Sequence, residues 1–300
     1  MLAVVTVVVL VSTLVSFCGL YRLRSICDYR IQPDSHIVVL GNSLGTTCFN
    51  DSILSGWRNL CRVGEYYVHS VPALEKIISV NSQIDTVMIV VGIPSLIGMD
   101  DEYFYNFNIG RLGAEDDRIA LFDGWSMNYN IGCHSFVPYL LTSGFRIWRR
   151  KMAQDSFLYL QSHNLYHGSC SIDEYIKKYG ENGSQEYSYK RLCSMNKVQM
   201  AGLERMIEIC QKHQVTCVLF NTPLYHMDRF IDDKGYKEYL STLDDSLLIA
   251  DYASFVMPDT ACYGDVHHLN GIGANYFCRE IKTEGLKMEY LIDYLRKHSN

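Results

Sequence analysis

The segment HIVVLGNSLGTTCFND, residues 36–51, contains the features that decide the fold. Its first part, HIVVL, is a short run of β-branched and apolar residues, which is typical of a strand buried on both faces of a parallel sheet. The run leads directly into GNSLG, residues 41–45, a sequence suited to a tight turn. Three interpretations of this turn are open: a nucleophile on a sharp bend, a phosphate-binding loop, or simply the end of a strand.

Further apolar runs repeat the pattern along the chain, at residues 84–92 (IDTVMIVVG), 215–223 (VTCVLFNTP) and 246–252 (SLLIADY). Helical patterns lie between them, most clearly over residues 196–213, and two more helical stretches are expected from about Ile272 onward. Buried strands alternating with amphipathic helices predict an α/β fold with a mostly parallel sheet. Ligands of such folds bind at the carboxyl ends of the strands, which is where the Gly-Asn-Ser turn lies.

Composition narrows the functional classes. The 300 residues, 48% of them hydrophobic, suit one domain of ordinary or slightly large size, or two small ones. The net charge of -6 comes from scattered residues with no long basic block, which argues against a nucleic-acid partner and favours small or neutral ligands. Eleven cysteines without a CxxC pair argue against a zinc ribbon and against a disulfide-stapled mini-domain, while leaving room for one or two disulfides.

Residues 1–24 are expected to form an N-terminal membrane segment. Residues 2–20 carry no charge, and a helix of that length covers roughly 28 Å, close to the ~30 Å bilayer core. We expect an uncleaved anchor; the alternatives are a signal peptide, a lipoprotein modified at Cys18, and a buried helix. Arg22 and Arg24 favour a cytoplasmic domain by the positive-inside rule. Long domains translocate largely regardless of nearby charge, however, and we expect an extracytoplasmic domain.

Residues 30–300 are expected to form the folded domain, with an inserted segment at about 100–195. The segment is rich in Tyr, Phe, Trp, Asn and Gly and does not follow the alternation of strands and helices. It is too long for a simple connection. It either packs as ordinary surface structure or caps the strand ends as a substrate-binding or membrane-facing element.

The turn at residues 41–45 fits G-x-S-x-G, the nucleophile elbow of α/β-hydrolases, in which small neighbours let a strained turn expose the serine hydroxyl. Its place in the chain speaks against that fold, because several strands and an oxyanion loop precede the elbow there. A phosphate loop is disfavoured because Gly45 is not followed by the required Lys.

The segment YGDVHHLNGIGANYF, residues 263–277, supplies the groups that a serine nucleophile needs. Acyl transfer by serine requires a base that takes the hydroxyl proton and an acid that orients the base. Asp265 can hold one imidazole nitrogen of His268 while the other faces the serine, and Asn270 can cap the helix that follows. His267 is expected to be structural or exposed, and a metal site in this loop is the minor alternative.

A strand ending in Gly-x-Ser near the start of the domain and Asp-x-x-His-Leu-Asn-x-x-Gly near its end resemble the motifs of the SGNH, or GDSL-type, hydrolase family. The resemblance implies a three-layer α/β/α sandwich of flavodoxin-like type. It implies Ser43 as nucleophile, His268 as general base and Asp265 as the orienting acid. It also places Ser43 and Gly64 in the oxyanion hole, and it implies neither a cofactor nor a metal. The inserted segment falls outside the match.

Two positions depart from the family pattern. Asn42 stands where the first block usually has Asp, and residues 92–95, Gly-Ile-Pro-Ser, stand where the third block supplies an Asn to the oxyanion hole. One oxyanion donor is worth about 2.7–4 kcal/mol, so its loss slows acyl transfer without abolishing it. Ser95 or a backbone amide is the candidate substitute.

These observations predict a membrane-anchored protein of the cell envelope that hydrolyses or transfers a small acyl ester, such as an O-acetyl group on a glycan, through an acyl-enzyme. Its expected partners are an acylated small molecule or glycan, the membrane through the N-terminal segment and, for a transferase, a membrane acyl-donor protein. The rival hypothesis is a non-catalytic envelope protein of the same fold that binds glycan or a membrane partner.

Overall fold

The computed structural model describes residues 29–63, 65–96, 196–225 and 234–298, together with a few of the first 18 residues. The strands of this part are β1 (Ile37–Leu40), β2 (Trp57–Asn59), β3 (Thr86–Val91), β4 (Thr216–Asn221), β5 (Leu248–Asp251) and β6 (Glu289–Tyr290). The helices are α1 (Ser43–Cys48), α2 (Tyr67–Val80), α3 (Ile93–Leu96), α4 (Lys197–Lys212), α5 (Lys234–Leu240), α6 (Gly271–Glu284) and α7 (Leu291–Lys297), with a 3₁₀ turn at Thr260–Cys262.

The strands form one sheet in the order β2-β1-β3-β4-β5-β6. Strands β1 to β5 are parallel to one another, and the edge strand β6 runs antiparallel to β5. The predicted α/β fold with a mostly parallel sheet is therefore confirmed. From β1 the chain proceeds to β2 on one side of the sheet and then to β3 on the other, so the direction of strand succession changes between β1 and β3. In parallel sheets, ligands bind at the carboxyl ends of the two strands where this change occurs.

Both faces of the sheet are covered by helices. Leu40, Ile89 and Leu219 belong to one buried apolar cluster, which includes side chains of α2, α4, α5 and α7. Val39 and Phe220 belong to a second cluster, which includes side chains of α1 and α6. Adjacent strand residues alternate between the two clusters because successive side chains point to opposite faces of a strand. This double burial explains why the strands are continuous apolar runs in the sequence.

The predicted strands at residues 84–92, 215–223 and 246–252 are all present, each with shorter bounds. The helix predicted over 196–213 is α4, with Asn196 as its N-cap, and the two C-terminal helices are α6 and α7. The short edge strands β2 and β6 were not predicted, because a three-residue and a two-residue strand carry no periodic signal.

The chain enters α4 beside the point at which it leaves α3. The backbone N–H of Asn196 donates to the carbonyl of Leu96 at 3.0 Å. Residues 97–195, which include the predicted insertion at 100–195, lie outside the described residues. Their two flanks are nevertheless in direct contact at the carboxyl end of β3.

Most of the predicted membrane segment, residues 1–24, lies outside the described part of the chain. Within the residues described, no helix has the length and apolar character needed to cross a membrane. The cysteines in this part all carry free thiols, so it contains none of the disulfides for which the sequence left room; they are Cys18, Cys48, Cys61, Cys210, Cys217, Cys262 and Cys278.

Candidate active site

Ser43 is the first residue of α1 and follows β1 after a two-residue turn. Gly41 in this turn has φ +148°, a backbone conformation that residues other than glycine rarely adopt. A Cβ at Gly41 would also lie 2.8 Å from the Cβ of Val90 on β3. The turn that carries Ser43 is thus packed so closely against β3 that only glycine fits at its first position.

Gly45 allows a second close approach, one turn further along α1. A Cβ at this position would lie 2.3 Å from the Sγ of Cys61 and 2.8 Å from the Cγ2 of Val90. The buried side-chain amide of Asn59 donates to the carbonyls of Gly45 and Phe49, at 3.1 and 2.8 Å. Gly45 therefore fits α1 against β2 and β3, and its role is one of packing.

His268 connects Ser43 to Asp265. Its Nε2 lies 2.9 Å from the Oγ of Ser43, and its Nδ1 lies 2.9 Å from each carboxylate oxygen of Asp265. Because a carboxylate only accepts hydrogen bonds, Nδ1 carries the proton of the neutral ring, and Nε2 is left to accept the Ser43 hydroxyl proton. The predicted residues are brought together in the order that a nucleophile, a base and an orienting acid require.

Asp265 is held as a carboxylate. Burial raises its pKa, but the hydrogen bond and the charge of His268 together with the backbone N–H of His267 outweigh burial, and the pKa falls below its ordinary value. Its Oδ1 accepts from the backbone N–H groups of His267 and His268, at 2.8 and 2.9 Å. The side chains of Asp265 and His268 are 26% and 23% exposed, so both are partly open to solvent.

Asn270 fixes the loop that carries these two residues. Its Oδ1 accepts from the N–H groups of Ile272 and Gly273, which confirms the predicted cap of α6. Its Nδ2 donates to the carbonyls of Ala261 and Tyr263, at 2.6 and 3.3 Å. One amide side chain thus joins the start of the loop to the start of the helix that follows it.

The ring of His267 lies beside that of His268, and its backbone N–H donates to Asp265. His267 is partly buried, and its ring centroid lies 6.3 Å from that of His268. Burial and the charge of His268 lower its pKa to about 4, although Asp265 opposes this shift, so the ring is neutral at neutral pH. Among the described residues, no group of His, Cys, Asp and Glu side chains is arranged to hold a metal ion.

Of the two residues predicted to donate to an oxyanion, Ser43 lies within the described part of the chain. Within the described ranges, the backbone N–H of Ser43 donates to no carbonyl or side chain. Gly64, the second expected donor, lies outside the described residues. Ser95, the candidate substitute for the missing Asn, is 5% exposed, and its Oγ accepts from the Nδ2 of Asn42 at 2.9 Å.

The contact between Asn42 and Ser95 was not predicted from the sequence. Asn42 was identified there as a departure from the family pattern, and Ser95 as a candidate substitute for the missing Asn. The signal that could have linked them is the pairing of β1 with β3, which places the ends of the two strands side by side.

The residues that follow β4 pack against the loop that carries Asp265 and His268. The N–H of Tyr225 donates to the carbonyl of Val266 at 3.2 Å, and the Tyr225 ring lies 5.2 Å from that of Tyr263. The hydroxyl of Thr222, a residue only 4% exposed, has no hydrogen-bond partner in the part of the chain described. The segment from Thr222 to Tyr225 therefore borders the site on the β4 side.

No family model matches the sequence. No curated protein matches it significantly. The arrangement of Ser43, His268 and Asp265 is consequently the feature of this chain that bears most directly on its chemistry.

Proposed function

We propose that this chain is a serine-dependent enzyme of SGNH type that hydrolyses or transfers a small acyl ester through an acyl-enzyme. The observation that carries the proposal is the continuous hydrogen-bonded chain from Ser43 through His268 to Asp265. Helices on both faces of the sheet and the strand order around β1 support the finer assignment to a three-layer, flavodoxin-like SGNH fold.

In the first half of the proposed reaction, the Oγ of Ser43 attacks the ester carbonyl carbon and its proton passes to the Nε2 of His268. The Asp265 carboxylate stabilises the imidazolium that forms. The N–H of Ser43 donates to the developing oxyanion. When the tetrahedral intermediate collapses, the C–O bond of the leaving alcohol breaks, and His268 returns the proton to the departing oxygen.

In the second half, a water molecule or an acceptor hydroxyl attacks the acyl-enzyme, and His268 again takes a proton and then returns it to Ser43. Attack by water gives hydrolysis, and attack by an acceptor gives transfer. The triad is the same in both, so the nature of the acceptor site decides between them. For a transferase, the proposed donor is a membrane acyl-donor protein.

The proposed location is the cell envelope, with the apolar N-terminal segment as the anchor and the catalytic domain on the extracytoplasmic side. The proposed substrate class is an acylated small molecule or glycan, such as an O-acetylated sugar. A reporter tag at the C-terminus, assayed for accessibility from outside intact cells, tests the orientation. Protection of the tag until the cells are permeabilised would place the domain in the cytoplasm instead.

One observation favours the second candidate, a non-catalytic protein of this fold that binds glycan or a membrane partner. Residues 92–95 contain no Asn, and the hydroxyl of Ser95, the candidate substitute, is buried and accepts from Asn42. If the remaining donors are too few to support turnover, the site retains binding alone.

A fluorophosphonate probe separates the two candidates, because it reacts with an activated serine. We expect stoichiometric labelling at Ser43, no labelling of Ser43→Ala, and unchanged labelling of Ser79→Ala, which removes an exposed serine hydroxyl on α2. Hydrolysis of an aryl acetate should follow the same pattern. Folded wild-type protein that neither reacts with the probe nor cleaves the ester would exclude the enzyme and leave the binding protein.

A further inference from the structure

The side chain of Asn42 bonds in two directions. Its Oδ1 accepts from the backbone N–H of Leu44 at 3.0 Å and so caps α1. Its Nδ2 donates to the Oγ of Ser95 at 2.9 Å. The residue directly before the nucleophile is thus tied both to its own helix and to the turn that follows β3.

Ser95 is itself fixed by surrounding helices. Its carbonyl accepts from the Nε2 of Gln199 on α4 at 3.0 Å, and the Oε1 of Gln199 accepts from the N–H of Tyr67 at 2.9 Å. Burial raises the pKa of the Tyr67 phenol, while a hydrogen bond with Ser95 opposes that rise. The phenol also donates to the carbonyl of Val90 at 2.7 Å. Asn42 therefore bonds to a rigid, buried group.

Among the residues that the structure describes, the side chain of Ser43 has no bond to β3 or α3 comparable to that of Asn42. Its Oγ contacts His268, which stands on a different loop, so the position of the nucleophile depends on the turn that Asn42 holds. Close packing of Gly41 and Gly45 against Val90 holds the turn near β3, and the cap by Asn42 constrains the first turn of α1. The bond from Asn42 to Ser95 adds a directional link between the residue before Ser43 and α3.

We infer that Asn42 and Ser95 together act as positioning residues, which hold Ser43 at the distance from His268 that proton transfer requires. The inference rests on the proposed function and deepens it. On this inference, Ser95 acts on the reaction through its bond to Asn42. A displacement of about 1 Å at such a site costs on the order of a hundredfold in rate.

Substitutions at Asn42 separate its two bonds. Asn42→Ser retains a cap, because a serine hydroxyl accepts from the Leu44 N–H, but its short side chain cannot reach Ser95. Asn42→Asp retains both the cap and the reach, because the Ser95 hydroxyl can turn and donate to the carboxylate. Asp244→Ser is the matched control, since it also keeps a side-chain acceptor for a nearby backbone N–H, that of Ser246, while losing the longer-range bond from Gln211, in the turn before β5.

We expect Asn42→Ser and Ser95→Ala each to slow labelling of Ser43 by a fluorophosphonate about tenfold to a hundredfold. The loss should appear in kcat for an aryl acetate, with KM changed little. The double variant should be no slower than Ser95→Ala alone, since that substitution already removes the bond that Asn42→Ser breaks. Asn42→Asp should retain more of the rate than Asn42→Ser, and Asp244→Ser should match the wild type.

Labelling at the wild-type rate in Asn42→Ser would overturn the inference, and so would losses that multiply in the double variant. A second readout keeps this test separate from that of the proposed function. The ¹⁵N resonances of the His268 ring, assigned by comparison with His268→Gln, report its contact with Ser43 even if the wild type is inactive. A shift in Asn42→Ser would support the positioning role, and an unchanged spectrum would contradict it.

Discussion

The Nε2 of His268 lies 2.9 Å from the Oγ of Ser43, although 225 positions separate the two residues in the sequence. Ser43 follows β1, near the start of the described domain, and His268 precedes α6, near its end. The pair therefore forms only when the sheet between them is assembled, and the activity of the site reports on the integrity of the whole domain.

Asp265→Asn should lower kcat strongly while leaving the fold intact. An amide cannot replace the carboxylate that holds the Nδ1 proton of His268, so the ring loses the tautomer that accepts the Ser43 proton. We expect a loss of about 10³- to 10⁴-fold in kcat for an aryl acetate, by analogy with serine enzymes whose orienting acid is replaced. Asp259→Asn, at the cap of the 3₁₀ turn, serves as control. A loss below tenfold would mean that Asp265 does not orient the base.

His267 should make stability dependent on pH. Burial and the neighbouring His268 lower its pKa from 6.5 to about 4 in the folded chain, against the opposing charge of Asp265. Between these two values the unfolded chain binds more protons than the folded one, so the free energy of unfolding rises with pH across this window. Urea unfolding from pH 4 to pH 7 should show a shallower rise in His267→Gln than in the wild type. Parallel profiles for the two proteins would contradict the assignment.

Gly45→Ala should destabilise the fold by about 1–3 kcal/mol, because the added methyl group overlaps Cys61 and Val90 in a fully packed region. The measurement is the urea midpoint at constant m-value. Gly271→Ala is the matched control, since a Cβ there meets nothing within 4 Å. Equal midpoints for the two variants would show that α1 can move away from β2 at little cost.

Asn270→Ala and Asn270→Ser should differ in stability but not in activity. Serine can still cap α6, whereas alanine cannot, so the alanine variant should be less stable by about 1 kcal/mol. Both variants remove the amide that donates to Ala261 and Tyr263, so both should slow turnover by releasing the loop that carries His268. Wild-type turnover in Asn270→Ser would show that the cap alone holds the loop.

The sequence was sufficient for the parts of the fold that are most buried. Strands such as β3 and β4 lie between two helical layers and therefore appear as continuous apolar runs. The edge strands β2 and β6 are short and partly polar, so no periodic pattern distinguished them. Their presence follows from pairing with β1 and β5, which a local pattern does not encode.

The residues of the candidate site were also predictable where a local pattern marks them, and not where tertiary packing brings them together. Ser43, Asp265 and His268 were identified because their residue types and spacing match a chemical requirement. The bond between Asn42 and Ser95 depends on the packing of the turn after β1 against the turn after β3, and no local signal marks it. The role of Gly45 likewise became clear only when the position of Cys61 was known.

The hydrogen bond between Leu96 and Asn196 joins the two parts of the chain that flank residues 97–195. On one side of this junction the chain leaves β3 through α3, and on the other side it enters α4, which leads to β4, the strand paired with β3. The same junction is one residue from Ser95, whose hydroxyl accepts from Asn42. The bond therefore closes the chain at the base of residues 97–195, directly beside the turn that precedes Ser43.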